Sequence, residues 1–550
     1  MVDKAEGENK FNIVFGQRAA LKRELPPNTI LIVPDRGDWN DFGHRTGAEY
    51  KITVDTLKDP IQIDGYIGFI DSEGHQGGKE FLEKLVSPTS NKTIPAPKAH
   101  NFFTMLPEMG AYRLLVSNLG PSKAIEILSA ANDLVTLSET NTKQDLQDLA
   151  IKTETFSLSF MRSSQAYFAF KNAGTILRGL SEEKKGVISN IIGITFKLPG
   201  CTNPHDLKFK FDHDDDLPKR IAIIIGKNGV GKSQALSRIA KAAINGAPEL
   251  TDGTEGGRPN INRLLAFAPT NETESAFPND KRKNPKIWYG RYSLNRSRRT
   301  KKTDHIPDLI IQLARSKESI ASKSRWDIFI EALSAITSPS ELYLPVKEDN
   351  SNHINIIKLR SSSEMKLLER YASIDTKKEP LRVVNAEGYP LSSGEISFLK
   401  FAAQVSLHIE NGSLLLFDEP ETHLHPNFIS RFIALLDGLL KETGSSAIIA
   451  THSAYFVKEV FREQVSILNI DSARKITIQK PSLRTFGADV GAISYFVFGE
   501  DEPSKLAEEV ESKLISRKLS WKNLYENYKD ELSLETLNSL RAKTEKTGDA

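Results

Sequence analysis

Cysteine is nearly absent from this sequence of 550 residues, since Cys201 is the only one. A single thiol excludes an intramolecular disulfide and a zinc cluster built from thiolates of one chain. Long apolar runs are also missing, because stretches such as "FIALLDGLL" are too short to cross a bilayer. The first residues show no apolar signal segment. These absences predict a soluble, cytoplasmic protein without a membrane span.

A surplus of charge of one sign is missing too. The 73 lysines and arginines nearly balance the 71 aspartates and glutamates. The field of the whole molecule therefore predicts neither nucleic-acid nor membrane binding, and any contact with a polyanion must come from a local patch. The length is sufficient for two or three domains with a large core.

The stretch "IAIIIGKNGVGKSQALSRIAKAA" contains the pattern Gly-x-x-x-x-Gly-Lys-Ser. It follows an apolar run typical of a buried strand and precedes a helical pattern, which disfavours a simple glycine-rich turn. Glycines allow backbone N–H groups to point at phosphates, and a helix N-terminus adds a favourable dipole. We predict that Lys232 reaches the β- and γ-phosphates of ATP and that Ser233 binds Mg2+. The predicted ATP-binding residues here are Gly226, Lys227, Asn228, Gly229, Val230, Gly231, Lys232 and Ser233.

A second stretch, "LLLFDEPETHLHP", crowds three carboxylates and two histidines together, namely Asp418, Glu419, Glu421, His423 and His425. Mixed carboxylate and histidine ligands can hold a transition metal. The apolar residues in front instead predict a buried strand that delivers Asp418 and Glu419 to its carboxyl end. A separate metal site at His423 and His425 stays an alternative, beside a packing role in the core or at a dimer face.

Two further motifs accompany these. Within "YPLSSGEISFLKFAAQ", Ser392 and Glu395 have the spacing of a capping box, which predicts the start of a helix of about fifteen residues. The N-terminus of that helix is a second anion-binding position. Later, "SSAIIATHSAYF" predicts an apolar strand that ends at His452.

The order of these four motifs resembles that of the ABC-type ATPases. The resemblance implies an α/β fold: an ABC-type P-loop ATPase head with a mostly parallel sheet, flanking helices, an antiparallel β subdomain and helical insertions. It implies that Asp418 holds Mg2+, that Glu419 positions or deprotonates the attacking water and that His452 contacts the γ-phosphate. Ser392 and Gly394 would bind the ATP of a second protomer in a head-to-tail homodimer. The glutamine of this family's Q-loop has no clear counterpart after "LLAFAPTNETES".

Patterns along the chain predict six segments. They are an N-terminal β-rich lobe (1–100), a helical insertion (101–195), a P-loop core (196–270), a basic segment with a helical lid (271–384), a core with the signature helix, Asp418 and His452 (385–500) and a helical tail (501–550). Strands within 11–60 are expected to form the antiparallel subdomain. The tail carries an apolar and aromatic helix face that either packs on the ATPase body or receives a partner: Trp521, Leu524, Tyr525, Tyr528 and Leu532.

The segment 281–302 has ten basic residues, no acidic residue and three interleaved aromatic residues. Cations neutralise phosphates and aromatic rings stack on bases, so this segment is a candidate nucleic-acid interface with Arg296, Arg298 and Arg299 as contacts. A solvated loop is an equally good interpretation.

The chain lacks the long heptad-patterned arms of SMC proteins. Together with "FDEPETHLHP", the helical insertions and "FGADVGAISYFVFGEDEPSKL", this layout resembles the PtuA-like ATPases of Septu and retron-associated Septu antiphage defence systems. That resemblance implies control of a PtuB-like HNH nuclease and, in the retron form, a complex with a reverse transcriptase and its msDNA. The alternatives are an SMC-like ATPase of DNA repair or recombination, which the short arms disfavour, and a transporter subunit, which the large insertions disfavour.

Overall fold

The computed structural model describes residues 11–37, 43–70, 76–89, 93–96, 101–184, 188–213, 217, 219–254, 256–268, 277–279, 285–293, 305–334, 338–347, 353–361, 364–385, 387–423, 426–498, 505–517 and 519–547. The chain divides into two compact units, Met1–Phe486 and Gly487–Ala550.

The strands of the first unit are β1 (Asn12–Gly16), β2 (Thr29–Pro34), β3 (Gly47–Thr53), β4 (Ile61–Ile70), β5 (Gln76–Gly77), β6 (Thr93–Pro95), β7 (Asn101–Met105), β8 (Ile191–Phe196), β9 (His205–Lys210), β10 (Ile221–Ile225), β11 (Leu250–Asp252), β12 (Arg263–Ala268), β13 (Trp288–Ser293), β14 (Ser319–Ile320), β15 (Lys323–Ser324), β16 (Leu342–Pro345), β17 (His353–Asn355), β18 (Leu381–Val384), β19 (Glu387–Pro390), β20 (Leu414–Asp418), β21 (Ser446–Thr451), β22 (Val465–Ile470) and β23 (Ile476–Gln479).

The helices are α1 (Lys79–Val86), α2 (Met109–Ala130), α3 (Leu134–Thr140), α4 (Gln144–Ile151), α5 (Ser164–Asn172), α6 (Lys232–Asn245), α7 (Ile306–Arg315), α8 (Arg325–Ser334), α9 (Glu364–Ser373), α10 (Ser393–His408), α11 (Pro426–Thr443), α12 (Ala454–Val457), α13 (Val490–Phe498), α14 (Lys505–Ser516), α15 (Trp521–Tyr528) and α16 (Leu534–Thr547). Short helical turns lie at Arg18–Lys22, Ser87–Thr89, Thr155–Ser159, Phe160–Arg162, Ala173–Arg178, Leu180–Glu182, Pro339–Glu341, Ile356–Arg360, Pro420–His423 and Arg462–Gln464.

The N-terminal lobe is a sheet with the strand order β5-β4-β3-β2-β1-β6, and β7 pairs with β4. Strands β1 and β2 run parallel, and the other pairs are antiparallel. Its buried side chains form one hydrophobic core with those of α2, α3 and α5. Edge-to-face ring contacts, such as that between Phe15 and Phe102 at 5.4 Å, fix the packing. The predicted segments 1–100 and 101–195 therefore share a single core.

A separate antiparallel sheet precedes and follows the phosphate loop in sequence. It has the order β11-β8-β9. In β9, "HDLKFK" alternates buried and exposed side chains, which is typical of a strand with one face on the core. This sheet flanks the phosphate loop in sequence, whereas the strands within 11–60 belong to the mostly antiparallel sheet of the N-terminal lobe.

The central sheet has the order β13-β12-β20-β21-β10-β22-β23. Its neighbours are parallel from β13 to β22, and only β23 is antiparallel. Strands β10, β20 and β21 are buried along their whole length, as expected for continuous apolar runs covered on both faces. Because they are adjacent and parallel, the segments that follow them meet at one edge. The α/β fold class, with a mostly parallel sheet, is confirmed.

Helix α10 lies inside the molecule. All of its side chains from Ile396 to Ser406 are buried. Phe401 packs its ring at 5.6 Å from Phe417 of β20 and at 5.1 Å from Phe432 of α11. The helix also contacts α7 and α8. Its exposed N-terminus is therefore held by a helix body with almost no solvent-facing side.

A buried ionic cluster joins the N-terminal lobe to the turn between α10 and β20. Arg113 of α2 donates to Glu183 at 2.5 and 2.8 Å and to Glu410 at 2.8 Å. Arg325 approaches Glu410 at 3.5 Å and donates to the carbonyl of Ile409 at 2.6 Å. Burial alone would raise the pKa of Glu410, but the Arg113 and Arg325 charges outweigh it and hold that pKa at about 2. Each charge therefore depends on the others for its burial.

The C-terminal unit has its own small core, formed by Leu514, Leu524 and Leu540. Trp521, Tyr528 and Leu532 pack against that core. The helix face predicted as a candidate docking surface is thus mostly used inside this unit, and only Tyr525, with 41% of its surface exposed, remains available from that set. The correction has a physical reason, because a short unit needs its aromatic residues for its own stability. Among the helices that the structure describes, none has the length and apolar character needed to cross a bilayer.

We predict that Arg113→Met lowers the free energy of unfolding by about 3 kcal/mol or more, since it leaves Glu183 buried without its cation and Glu410 with Arg325 alone. Chemical denaturation at neutral pH measures this. The matched control is Arg18→Met, because the Arg18–Glu49 pair is similar in length but more than one-quarter exposed. That change should cost about 1 kcal/mol or less. Equal losses for the two variants would contradict the role assigned to the cluster.

Candidate nucleotide-binding site

The loop 226–231 connects β10 to α6. Gly229 and Gly231 have φ angles of +82° and +96°, which side chains rarely allow. Gly226 lies so close to β22 that an added Cβ would be 2.3 Å from the carbonyl oxygen of Leu468. The glycine positions of the motif are therefore required by this backbone path. The loop has the shape expected of a phosphate cradle that leads into a helix N-terminus.

Lys232 begins α6 and is almost fully buried. Its Nζ donates to the carbonyls of Gly226 at 2.9 Å and Lys227 at 3.1 Å, and it lies 2.7 Å from Nε2 of His452. Burial lowers the pKa of Lys232, although the carboxylates of Glu419, Glu421 and Asp418 oppose this. The ammonium group is thus folded back onto its own loop, within reach of the residues that follow β20 and β21.

Asp418, at the end of β20, lies beside Ser233, in the first turn of α6. The hydroxyl of Ser233 donates to Oδ1 of Asp418 at 2.8 Å. Burial raises the pKa of Asp418 to about 6, and the Ser233 hydrogen bond only partly opposes this. A hydroxyl and a carboxylate are the oxygen donors that Mg2+ prefers. A divalent cation would also offset the cost of burying this carboxylate, so the residues present fit a magnesium site.

Glu419 follows Asp418 with a φ angle of +44°, an uncommon value for glutamate that often marks functional sites. Its amide donates to the carbonyl of Ala450 at 2.8 Å. Its Oε1 lies 3.1 Å from Nε2 of His452, the same nitrogen that faces Lys232. One imidazole nitrogen cannot accept from Lys232 and donate to Glu419 at once, so only one contact is a hydrogen bond in a given tautomer.

Glu421 has a structural position that the sequence did not reveal. Its Oε1 accepts hydrogen bonds from the hydroxyl of Thr451 at 2.7 Å and from the amide of His452 at 2.6 Å. These bonds fix the backbone that carries the His452 side chain. The only sequence signal is the spacing of Glu421 from Asp418 within "DEPE", and it does not name the partner because the partner lies about thirty residues away.

Ser392 and Gly394 lie at the N-terminus of α10. The predicted capping box is present: Ser392 accepts from the amide of Glu395 at 3.3 Å, and Glu395 accepts from the amide of Ser392 at 2.9 Å. Burial opposes ionisation of Glu395, but these hydrogen bonds and Arg382 leave its pKa lowered. Ser392 is exposed, so this helix end is open to an incoming group.

Several predicted residues fall outside the part of the chain that the structure describes. They are Arg296, Arg298, Arg299 and His425, together with the side chain of His423 and the segment 269–276 where a Q-loop glutamine was sought. Among the described residues, no group of histidines, cysteines and carboxylates is arranged to hold a metal on its own.

The aromatic residues of the basic segment are used inside the protein. Trp288 and Tyr292, on the edge strand β13, stack on His408 at 5.7 and 5.4 Å. Tyr289 donates its hydroxyl to the carbonyl of Pro278 at 2.9 Å. Burial and the Arg263 charge lower the pKa of His408 to about 4, so the stacked imidazole is neutral at physiological pH. These rings therefore do not offer free faces to nucleic-acid bases.

Comparison with known proteins gives a partial match. Residues 221–458 match the family model described as "AAA domain, putative AbiEii toxin, Type IV TA system". Protein ea59 of Escherichia phage lambda is 29% identical over 219 residues, which cover 39% of this chain and 40% of that protein. UvrABC system protein A of Lactiplantibacillus plantarum is 24% identical over 288 residues, which cover 44% of this chain and 28% of that protein. The chain thus spans two fifths or less of the length of these relatives.

Among solved structures, the Smc head bound to the C-winged helix domain of ScpA overlays with a TM-score of 0.27 and 13% identity. The overlay covers 53% of this chain and 98% of that one. The family match spans β10, the loop, α10, β20 and β21, which are the elements that bring Lys232, Asp418 and His452 together. Residues 221–458 are thus similar in sequence to this family's AAA domain.

Proposed function

We propose that this chain binds and hydrolyses ATP with Mg2+, and that Glu419 and His452 carry the chemistry. The observation that supports this most directly is the meeting of three distant segments. Lys232 contacts His452 at 2.7 Å, His452 contacts Glu419 at 3.1 Å and Ser233 donates to Asp418 at 2.8 Å. Lys232 and His452 are 220 positions apart in the sequence. A glycine-rich turn with a structural role alone would not require contact between such distant polar residues.

The roles follow from charge and position. Lys232, released from the carbonyls of Gly226 and Lys227, would donate to phosphate oxygens. Ser233 and Asp418 would hold Mg2+, which supplies positive charge at the phosphates. Glu419 is partly exposed and acceptor-only when ionised, so it can orient a water and take its proton. His452, held by Glu421 through its amide, presents its ring beside that water.

We predict that Glu419→Gln retains ATP binding and lowers hydrolysis by about two orders of magnitude or more, because the amide keeps the shape of the side chain but cannot accept the proton. Equilibrium binding of a fluorescent ATP analogue and steady-state phosphate release measure the two effects. Lys232→Ala is the comparison variant and should lose binding as well. A Glu419→Gln protein with full turnover would remove this residue from the reaction.

We further propose a head-to-tail homodimer in which Ser392 and Gly394 of one protomer complete the ATP site of the other. The chain contributes one phosphate loop and one exposed signature helix end, and these lie on different elements of the fold. In ABC-type ATPases this arrangement places two nucleotides between two protomers. The capping box fixes the backbone of this helix end, and an incoming phosphate would replace the Glu395 carboxylate, which now accepts from the amide and hydroxyl of Ser392.

Mixing Lys232→Ala with Ser392→Arg protein tests this arrangement. Each variant alone should be inactive, while a mixed dimer holds one intact site made from the unaltered half of each partner. Random pairing then gives up to about a quarter of the wild-type rate, since half of the dimers are mixed and half of their sites are intact. Doubling the concentration of either variant alone is the control. Two inactive proteins that stay inactive on mixing would argue against shared sites.

We propose that ATP-dependent changes in this dimer control a partner nuclease of the HNH type in antiphage defence, and that a reverse transcriptase with its msDNA joins the complex. The support is the sequence resemblance to PtuA-like ATPases. The acidic residues at the described site are oriented toward Lys232 and Ser233, which suits nucleotide chemistry. This chain would then regulate cleavage and leave the cutting to its partner.

The basic segment 281–302 is proposed to contact nucleic acid through its cations alone, because its described aromatic residues pack internally. Replacing Arg296, Arg298 and Arg299 with alanine should weaken binding of an RNA–DNA hybrid and make the salt dependence shallower by up to about three phosphate contacts. A salt titration with the full chain measures this, and ATP binding serves as the control.

The RNA–DNA hybrid should stay intact when it is incubated with this chain without a partner nuclease. An unchanged salt slope would identify a solvated loop, and cleavage by the chain alone would contradict the regulatory role.

A further inference from the structure

His205 lies directly behind the phosphate loop. It is the first residue of β9, and its imidazole stacks on Phe196 of β8 with ring centres 4.6 Å apart and planes nearly parallel. A Cβ built on Gly231 would be 3.3 Å from Nε2 of His205, so this nitrogen is in contact with the loop backbone just before Lys232. The antiparallel sheet thus presents a polar side chain to the outer side of the nucleotide site.

The imidazole is fully buried, and neither ring nitrogen meets a partner at hydrogen-bonding geometry among the described residues. Burial lowers the pKa of His205, and poorly aligned hydrogen bonds to the backbone of Val230 and Phe196 oppose this only in part. A buried donor whose hydrogen bonds are poorly aligned destabilises the folded state, and such groups are uncommon in native proteins. A leucine or phenylalanine would fill this space at lower cost. We therefore expect another conformation of the protein in which the His205 N–H donates a well-aligned hydrogen bond.

The phosphate-bound loop is such a state. When successive N–H groups of the loop point at phosphate, its carbonyls point outward and need donors from behind. In the present structure Lys232 donates to the carbonyls of Gly226 and Lys227. A Lys232 side chain that turns toward phosphate gives up these bonds, and the loop then depends on other donors. His205 is the donor that lies beside the last turn of the loop.

We propose that His205 is a positioning residue that donates a hydrogen bond from its imidazole to the Val230 carbonyl when the loop holds phosphate. This inference rests on the proposed ATP binding. His205, on the antiparallel sheet, would then increase nucleotide affinity by stabilising the backbone of the phosphate loop. It would not contact the nucleotide itself. The role requires a neutral imidazole with one N–H, which matches its burial.

The test compares nucleotide affinity with stability in the full chain, using mant-ATP and Mg2+ in a Glu419→Gln background so that nucleotide is not consumed. His205→Phe keeps the ring stack but removes the nitrogens. We expect its dissociation constant to rise roughly two- to tenfold, the range that one hydrogen bond supports. Its melting temperature without nucleotide should be equal to or above that of the parent, because a buried polar group with poorly aligned hydrogen bonds has been removed. His205→Gln, which keeps an N–H donor, should bind within about twofold of the parent.

The matched control is Phe196→Leu, which disturbs the same ring pair and leaves the imidazole in place. It should lower the melting temperature and leave mant-ATP affinity unchanged. A His205→Phe protein with parental affinity overturns the inference, and so does one that loses affinity and stability together, since that is a packing effect. If this variant does not fold, His205→Met is measured against the same outcomes. Failure of the parent protein itself to bind mant-ATP would overturn the proposed function instead.

Discussion

Strands β20, β21 and β10 lie side by side in parallel, and the candidate nucleotide site depends on that pairing. The register places Asp418 beside Ala450 and Ile225 beside Thr451, so the three strands end at the same level of the sheet. The residues that follow them are Glu419, His452 and the phosphate loop. A shift of one residue in either pair would turn alternate side chains to the opposite face and separate Ser233 from Asp418.

The meeting of these strand ends places the charged side chains of Asp418 and Lys232 in a buried environment. Burial raises the pKa of Asp418 to about 6 and lowers that of Lys232, so each group is held in a state that favours loss of its charge. The two are not paired directly with each other. Ser233 occupies the position beside Asp418, and loop carbonyls and His452 occupy the positions around Lys232. A cation beside Asp418 and an anion beside Lys232 would satisfy both groups, which is the charge pattern of a magnesium–phosphate ligand.

The elements that could be predicted from the sequence are those set by short-range chemistry. The strand before the loop, the helix after it and the capping box of Ser392 and Glu395 each depend on residues within a few positions, and the structure has all three. The third strand of the antiparallel sheet and the internal stacking of Trp288 depend on partners far along the chain. The small core around Leu524 depends on contacts between separate helices. Amphipathic or aromatic patterns show that a face is buried and do not show against what. His205 was missed for the same reason, since β9 carries no signal of the loop behind it.

The buried ionic cluster around Glu410 connects helix α10 to the N-terminal lobe. Helix α10 is a rigid body of 16 residues, about 24 Å long, with Ser392 at its exposed end. Its other end is bound by Arg325 through the carbonyls of Ser406 and Ile409, and the turn that follows is bound by Arg113 through Glu410. An axial shift of α10 against the N-terminal lobe would separate buried opposite charges, which costs several kcal/mol. The helix and the lobe are therefore constrained to move together. In the proposed dimer, a displacement of Ser392 toward a second protomer would therefore carry the N-terminal lobe with it.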